Sequence, residues 1–523
     1  MCIVAAPQRL ASAAVVFFGQ HGDISQQAQQ RHVSRQCLYR EAHSVLRDLD
    51  HSHLRQELAR LQQQVADLQK QVSKLQAQRP FRVLIDTDKQ AEFACTAQAE
   101  GVSLPVARRL CAVFLGKRTP SVAALGRLTQ QAGQRAGLLL EVLDQQARPH
   151  VRQVAADEIF FGSKPVLMVV EPQSLCWLSG RLSTSRDGAA WASEFRQLPA
   201  LEHVTRDGGT GLANGLARVN QERQENHQPV IGDQLDHFHT LREGGRALRK
   251  TQGRAERAWT AAEEADKKVA QQDRQGQART GYATQAVLKW QRAEAAFHQW
   301  EKEESILKQI RQELQPFTTS GELKSREGAM QTVEALAEPL DGEQWAKFKR
   351  ALRRPETYAY LDRLKGKSEA LPVSVAVREA VVQSEGIRQH PELVQGEGQR
   401  AGVLRGLLLV CSVLIAQAGA AGQQAVSAFR QAVRYAGKAS SCVEGLNSVV
   451  RMQQSRHRKM SQGLLDLKRL YWNLRKFRTG GRKKTSPYER LGVPVPANLS
   501  WWQLLQLTPE QLRPLLSAQP LAP

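Results

Sequence analysis

The chain has 523 residues, of which 41% are hydrophobic and 24% are charged, a composition typical of globular domains rather than of a disordered chain. Its 73 lysines and arginines exceed its 51 acidic residues by 22. A surplus of that size indicates a polyanionic partner, nucleic acid first of all, rather than a small acidic substrate. The length predicts about three to four domains.

The seven cysteines are scattered and form no CxxC pair. This pattern argues against a disulfide framework and a structural zinc site, and it fits a reducing cytosol. The most apolar stretch, residues 403–418, contains Arg405 and is shorter than the roughly 18 to 20 apolar residues of a membrane span. We therefore predict a buried core helix there and no membrane partner.

Residues 1–50 predict a helix-turn-helix. The three positions that such a motif buries hold apolar residues: Ala28, Val33 and Leu38. Ser34 can cap the second helix, and Arg35 and Arg40 would then point outward. His32 stands where the turn usually has glycine, and an ordinary helical hairpin is the alternative.

Residues 51–79 carry apolar residues at alternating spacings of four and three, which predicts a coiled-coil segment of three heptads. The seam consists of Leu54, Leu58, Leu61, Val65, Leu68, Val72 and Leu75. Three heptads are marginal alone, so the segment needs a partner helix. It is either the contact of a homodimer or higher homo-oligomer, or one arm of an intramolecular hairpin.

Residues 80–150 predict a second helix-turn-helix. A helix over 104–115 would end at Gly116, and Thr119 and Pro120 would open the next helix as its N-cap and first helical residue. Because this segment is more basic than the first 50 residues, we expect it to be the stronger reader of DNA.

From residue 151 the pattern changes to short apolar segments separated by turns, and the order is three strands, helix, strand, helix, strand. That order is typical of an α/β ribonuclease H-like sheet. The fold class predicted for the whole chain is multidomain, with N-terminal all-α helix-turn-helix modules and a coiled coil, then an RNase H-like core interrupted by a large all-α insertion. The predicted parts of the core region are its first part, 151–243; a helical insertion, 244–400; its second part with a basic helical block, 401–492; and a loosely docked tail, 493–523.

Three acidic residues stand where such a core would bring them together. Asp157 lies within the first strand, Asp207 ends the fourth, and Glu444 opens a late helix. An RNase H-like sheet places the first and fourth strands side by side, with the late helix across them. Three carboxylates there can hold two divalent cations for phosphoryl transfer, and hard oxygen ligands select Mg²⁺ or Mn²⁺.

Each of these acids has an alternative explanation. Strand alternation lets only one of Asp157 and Glu158 face the metals. Asp207 could simply start a turn, and Ser441 with Glu444 forms a capping box. The helical spacing argues for a site rather than a cap. Glu444 shares one helical face with Asn447 or Ser448 and with Arg451. The alternative candidates for the third catalytic acid are Glu385 and Glu397.

Residues 451–490 hold 13 lysines and arginines against two acids. We predict that this block contacts the phosphate backbone, whereas base reading belongs to the N-terminal units. The predicted DNA contacts are Arg35, Arg40, Arg118, Arg451, Arg456, Arg458, Lys459, Lys468 and Arg469.

Several segments together resemble bacterial insertion-sequence transposases of the DDE (RNase H-like) class. They are ADEIF at 156–160, TRDG at 205–208, DHFH at 236–239, VEGLN at 443–447, GLLDLKRLYWN at 463–473 and SPYERLG at 486–492. The resemblance covers under half of the chain. It implies that Asp157, Asp207 and Glu444 are catalytic metal ligands, and that His239 packs or hydrogen-bonds near the active site. A zinc site of Asp233, Asp236, His237 and His239 is not expected, because neither a strand nor a helix holds His237 and His239 in a good chelating geometry.

The resemblance further implies the reaction and its setting. Metal-dependent hydrolysis at the ends of an element would free a 3′-OH, which then attacks target DNA. The partners would be double-stranded DNA and further copies of the chain, and the location cytoplasmic and nucleoid-associated. Two alternatives stay open: a non-catalytic DNA-binding regulator derived from a transposase, and a metal-dependent nuclease without strand transfer.

Overall fold

The computed structural model describes residues 6–48, 52–77, 85–278, 280–436, 440–452 and 460–517. Helices predominate, and one five-stranded mixed sheet accompanies them, which confirms the prediction of all-α parts together with an α/β part. The chain divides into two compact units, Met1–Ile85 and Asp86–Pro523.

The first unit is helical. Its helices are α1 (Ala6–Phe18), α2 (Asp23–Gln30), α3 (Arg35–Asp48) and α4 (Ser52–Ala77). Of the three predicted contacts of the helix-turn-helix, Ala28 and Leu38 are buried and Val33 is half-buried. His32 has a φ of +50°, so it takes the left-handed conformation that glycine usually provides in this turn. The sequence prediction of a turn at that residue is confirmed.

A polar cluster joins α1, the turn and α3. Arg31 donates to Glu41 Oε2 at 2.7 Å and to Ser12 Oγ at 2.5 Å, and Ser12 donates to Glu41 at 2.6 Å. The hydrogen bond from Arg31 is the main reason why the pKa of Glu41 is lowered. These contacts fix the angle at which α3 leaves the turn.

Helix α4 has its apolar seam facing solvent. Leu61, Val65, Leu68 and Val72 are 47–58% exposed. No described helix of the first unit covers these side chains, and both explanations of the seam, a contact between copies and a hairpin arm, stay predictions. Their exposure leaves an unpaired apolar stripe along the helix.

The second unit is built around the sheet. Its strands are β1 (Gln153–Phe161), β2 (Lys164–Val170), β3 (Trp177–Leu182), β4 (His203–Arg206) and β5 (Gly232–Leu235). The strand order is β3-β2-β1-β4-β5. The pairs β1–β2 and β2–β3 are antiparallel, whereas β1–β4 and β4–β5 are parallel. The order three strands, helix, strand, helix, strand is the order that the sequence predicts.

Helices precede, connect and follow these strands. They are α5 (Thr87–Ala99), α6 (Leu104–Leu115), α7 (Val122–Ala147), α8 (Gly188–Arg196), α9 (Thr210–Glu225), α10 (His237–Arg274), α11 (Thr280–Glu313), α12 (Arg326–Ala337), α13 (Ala346–Leu352), α14 (Ala359–Glu369), α15 (Val375–Arg388), α16 (Pro391–Gln395), α17 (Gln399–Gln417), α18 (Gly419–Arg434), α19 (Ser441–Met452), α20 (Gln462–Leu474), α21 (Pro487–Leu491), α22 (Trp501–Leu505) and α23 (Pro509–Ser517).

The predicted second helix-turn-helix shares its core with the sheet. Leu139 and Leu143 of α7 are buried in one hydrophobic cluster with Val154 of β1. Helix α6 ends as predicted, but the cap of α7 is Ser121, whose Oγ accepts from Ala124 N at 3.1 Å. The prediction of Thr119 as the cap is wrong, since its hydroxyl donates to a carbonyl in the turn instead.

The predicted helical insertion begins with the two long helices α10 and α11, which pack against each other. Aromatic side chains pack this pair: the ring centroids of Trp259 and Trp290 lie 4.8 Å apart and those of Trp259 and Phe297 lie 5.2 Å apart, both in edge-to-face contact. Ile415 of α17 and Phe429 of α18 pack in one cluster with Val381 of α15. The helical body therefore continues past the predicted boundary at residue 400.

The prediction of a buried core helix at 403–418 is wrong. Helix α17 buries Leu404, Cys411 and Ile415, but Leu409 is 67% exposed and Val410 is 57% exposed. By length and composition α17 could cross a membrane, a criterion that core helices of soluble proteins also meet.

The C-terminal tail is also more firmly packed than predicted. Trp502, Leu505 and Leu512 are buried in the same cluster as the sheet. The Trp502 indole donates to the Asp88 carboxylate at 3.1 Å. The described part of the tail therefore belongs to the core rather than docking loosely on it.

Candidate functional site

The pairing of β1 with β4 sets the position of the first two acids. Ala156 is in register with Arg206, so Asp157 and Asp207 follow side by side on neighbouring parallel strands. Asp157 is only 5% exposed. Glu158 points to the opposite face of β1 and pairs with Arg186 at 2.6 Å, so Asp157 is the residue that faces the site.

Helix α19 brings Glu444 to the same place. Val443, Leu446 and Val450 pack with Ala155 and Ile159 of β1, which lays the helix across the sheet. Glu444 Oε1 lies 3.1 Å from His239 Nε2, and Glu444 Oε2 lies 3.7 Å from Arg451. The Glu444 carboxylate is thus directed to the site, in contrast to the capping-box alternative.

His239 is held by the residue that ends β5. Asp236 caps α10 by accepting from Phe238 N at 2.7 Å, and its Oδ2 lies 2.7 Å from His239 Nδ1. Ser440 also donates to Asp236 Oδ2. With Nδ1 engaged, Nε2 faces the other acids, and ligand atoms of Asp157, His239 and Glu444 lie within 4.8 Å of one another.

Asn447, one turn after Glu444, fixes the Asp157 carboxylate. Its Nδ2 donates to Asp157 Oδ2 at 2.6 Å, and the Glu158 amide donates to Asp157 Oδ1 at 2.8 Å. Asn447 is fully buried, and its Oδ1 has no hydrogen-bond partner among the described residues. Of the two polar residues predicted to share a face with Glu444, Asn447 is the one that reaches the site.

An ion pair between a buried arginine and a half-buried aspartate supports the loop that carries Asp207. Arg206 donates to Asp233 at 2.6 Å and to the Asp207 carbonyl at 3.0 Å. The Gly209 amide donates to Asp207 Oδ1 at 2.8 Å. A Cβ atom at Gly209 would lie 2.8 Å from that oxygen, so the close approach requires glycine.

Burial and charge shift the pKa values of the clustered groups. Burial, together with the charge of Asp207, raises the pKa of Asp157 to about 7. The hydrogen bond to Asp236 raises the pKa of His239. Burial opposes ionisation of Asp236, but hydrogen bonds from His239 and Ser440 leave its pKa below the usual value. The cluster therefore favours a cation among its carboxylates.

The residues present fit a divalent metal ion. Asp157 and Glu444 offer hard carboxylate oxygens, and the pair formed by Asp236 and His239 is the arrangement that orients a metal-binding imidazole. Asp207 is not in the group whose ligand atoms converge, but it lies close enough for its charge to raise the pKa of Asp157. Mg²⁺ or Mn²⁺ suits the oxygens, and the imidazole adds preference for Mn²⁺.

The raised pKa of Asp157 gives a pH-dependent stability. A carboxyl whose folded-state pKa lies above its unfolded value stabilises the fold at low pH, and this contribution is lost as the pH rises through about 7. In EDTA, the wild type should therefore lose stability relative to Asp157→Asn as the pH rises from roughly 4 to 7, because the asparagine does not ionise. Thermal denaturation across that range measures it, and a difference that is independent of pH would contradict the shift.

The structure corrects two of the predicted DNA contacts. Lys468 is buried and donates to the Gln98 carbonyl at 2.5 Å, and burial lowers its pKa to about 7. Arg469 is buried and pairs with Asp144 at 2.8 Å. Both side chains are packing elements of the core, because the apolar face of α20 carries them inward, so the prediction that they contact DNA is wrong.

The other predicted DNA contacts fall into two groups. Four are exposed: Arg35, Arg40, Arg118 and Arg451. Three lie outside the described residues: Arg456, Arg458 and Lys459.

The remaining candidates have other partners. Asp233 pairs with Arg206, and His237 Nε2 lies 2.7 Å from the Thr357 carbonyl, so neither joins His239 in a metal group. Glu385 pairs with Arg430 in the helical insertion at 3.0 Å, and Glu397 is exposed on the loop before α17.

Sequence reasoning missed the supporting contacts of the site. Ser440 and the Arg206–Asp233 pair have no local motif that marks them. The contact between Asp236 and His239 could have been predicted. An acid that follows a strand and a histidine three residues later lie on the same side of the first turn of the next helix.

A comparison with models of protein families found no family that matches the chain, and a search of curated proteins found no significant match.

Proposed function

We propose that the protein is a DNA transposase of the DDE class, which cleaves the ends of an element with a divalent metal and transfers the freed 3′-OH to target DNA. One observation carries the proposal: parallel pairing of β1 with β4 places Asp157 beside Asp207, and α19 brings Glu444 to the same point. The strand order β3-β2-β1-β4-β5 is that of an RNase H-like sheet, which supports the same fold.

The charge of the chain supports DNA as the substrate. A surplus of 22 positive charges is far more than a small anion needs, and it suits the phosphate backbone. Arg451 is exposed beside Glu444, where its guanidinium can reach a phosphate that enters the site.

The geometry assigns a task to each residue. Asp157, Glu444 and His239 Nε2 would hold the metal ion, with Asp207 adjacent. A divalent ion bound there activates the attacking oxygen and stabilises charge on the leaving oxygen. Asn447 fixes the orientation of the Asp157 carboxylate, and Asp236 fixes the imidazole of His239. The buried side chains keep these ligands in place before DNA binds, which limits the cost of reorganisation.

Analysis of reaction products separates this proposal from its two alternatives. Donor DNA that carries the sequences flanking the gene is incubated with the protein, Mg²⁺ and a target plasmid. The proposal expects cleavage at fixed positions and donor ends joined to target. Cleavage without joined product would indicate the nuclease, and DNA that is bound but left intact would indicate the regulator.

A further inference from the structure

A second polar site lies at the start of β1, apart from the metal cluster. A cavity of about 650 Å³ opens there between β1, the residue before β4, α14, α18 and α21. Four basic residues line it: Arg152, Arg363, Lys367 and Arg490. Two glutamates also line it, Glu171 and Glu202. The cavity therefore carries a surplus of positive charge.

The glutamates do not neutralise these cations. Glu171 accepts from the amides of Gln173 and Ser174 and from the Ser174 hydroxyl. Glu202 is shared between Arg152 and Lys367, at 3.7 Å from each. Pairs at that distance are weak, so the rim keeps most of its positive potential.

The floor of the cavity holds two groups that lack an anionic partner. The Arg363 guanidinium donates to two neutral oxygens, Gln153 Oε1 at 2.5 Å and the Ala436 carbonyl at 3.4 Å. Gln153 is only 2% exposed, and its Nε2 has no hydrogen-bond partner among the described residues. A half-buried cation without an ion pair and a buried donor without a partner are both costly, and an anion bound between them would satisfy both.

We propose that this cavity binds a phosphate group of the DNA backbone, with Arg363 and Gln153 as the inner donors and Lys367 and Arg490 at the rim. The proposal rests on the proposed function for its choice of DNA. The burial of Arg363, which lowers its pKa, adds to the demand for a counter-ion.

Two features favour a backbone phosphate over a free phosphate compound. Gln153 and Asp157 lie four residues apart on one strand, about 13 Å, which is well within one turn of a duplex. Tyr435 also lines a neighbouring cavity that contains Arg434 and Arg482, so the positive surface continues beyond one phosphate. A long polyanion can use that continuation.

The test is a double variant at the rim, Lys367→Ala with Arg490→Ala, in the full chain. Both side chains are exposed, so the fold should be retained. The matched control removes two exposed cations of α11, Arg292→Ala with Lys302→Ala. All binding is measured in EDTA, so the outcome does not depend on cleavage.

Two probes are used: inorganic phosphate, followed by the rise in melting temperature, and a random-sequence duplex of about 30 base pairs, followed by fluorescence anisotropy. We expect the rim variant to lose the phosphate-induced rise and to bind the duplex about tenfold more weakly. Its slope of log K against log salt should fall by roughly 1.8, which corresponds to two lost contacts. The control should behave as wild type with both probes.

Other outcomes overturn the inference in distinct ways. Loss of the phosphate response with unchanged duplex binding would assign the cavity to a free phosphate compound. No change with either probe, or equal weakening in the control, would remove the site altogether. A failure of the proposed function would show differently, as intact donor DNA in the presence of Mg²⁺ while the rim variant still loses duplex binding.

Discussion

Asp157→Asn should abolish metal-dependent cleavage and joining of DNA while leaving DNA binding intact, and Asp207→Asn should do the same. Asp157 lies at the centre of the site, where Asn447 orients it and where its ligand atom converges with those of His239 and Glu444. Loss of one metal-binding carboxylate should cost at least roughly 4 kcal/mol of transition-state stabilisation, about a thousandfold in rate. Rates of cleavage and anisotropy of labelled DNA measure the two properties.

The adjacent residue provides the matched control. Glu158 is also an acid on β1, but it faces Arg186 on the other side of the sheet. Glu158→Gln should therefore retain cleavage once any loss of stability is allowed for by assay at low temperature. Full activity in Asp157→Asn, or equal loss in both variants, would contradict the assignment of the site.

Leu61→Lys with Leu68→Lys should dissociate the protein into a smaller species. Both leucines are exposed on α4 within a continuous apolar stripe, which we expect a second copy to cover. A charge at each position would be buried without a partner on both helices, and the dissociation constant should rise at least about a hundredfold. Sedimentation velocity measures it, and joining of two ends should fail before binding of a single end.

The control adds the same charges to the outer side of the helix, as Gln63→Lys with Ser73→Lys. These positions are exposed and lie away from the seam by the heptad pattern, so the control should sediment as wild type. If the seam variant keeps its mass, the contact between copies lies elsewhere. If the control also dissociates, the effect is one of net charge rather than of the seam.

The strands were predictable from sequence, because period-two patterns and turn residues are local signals. The alternation within β1 even limits the choice to Asp157 or Glu158, but it cannot say which face meets α19. That choice depends on apolar contacts of α19 with Ala155 and Ile159, which join residues almost 300 positions apart. The same limit explains why the supporting role of Ser440 was missed.

The positive charge of a segment was the least reliable predictor of which side chains are free to contact DNA. Lys468 and Arg469 lie in a basic segment, yet the pattern of α20 turns both inward, where Asp144 and the Gln98 carbonyl receive them. Burial of a lysine or arginine can be predicted only when its hydrogen-bond and ion-pair partners, which lie far away in the sequence, are known. Apolar content misled in the opposite sense for α17, whose exposed Leu409 and Val410 resemble core residues in sequence.

Iron-mediated cleavage tests most directly whether these residues form the metal site that acts on DNA. Fe²⁺ that replaces Mg²⁺ is oxidised to Fe³⁺ by added hydrogen peroxide, which is split into hydroxide and a hydroxyl radical, and the radical cuts protein and DNA near the bound ion. With DNA present, we expect cuts in the chain near Asp157, Asp207, His239 and Glu444, together with cuts in the DNA. All of these cuts should be suppressed by excess Mg²⁺ and absent in Asp157→Asn. Cuts at other segments, or cuts that persist in Asp157→Asn, would contradict it.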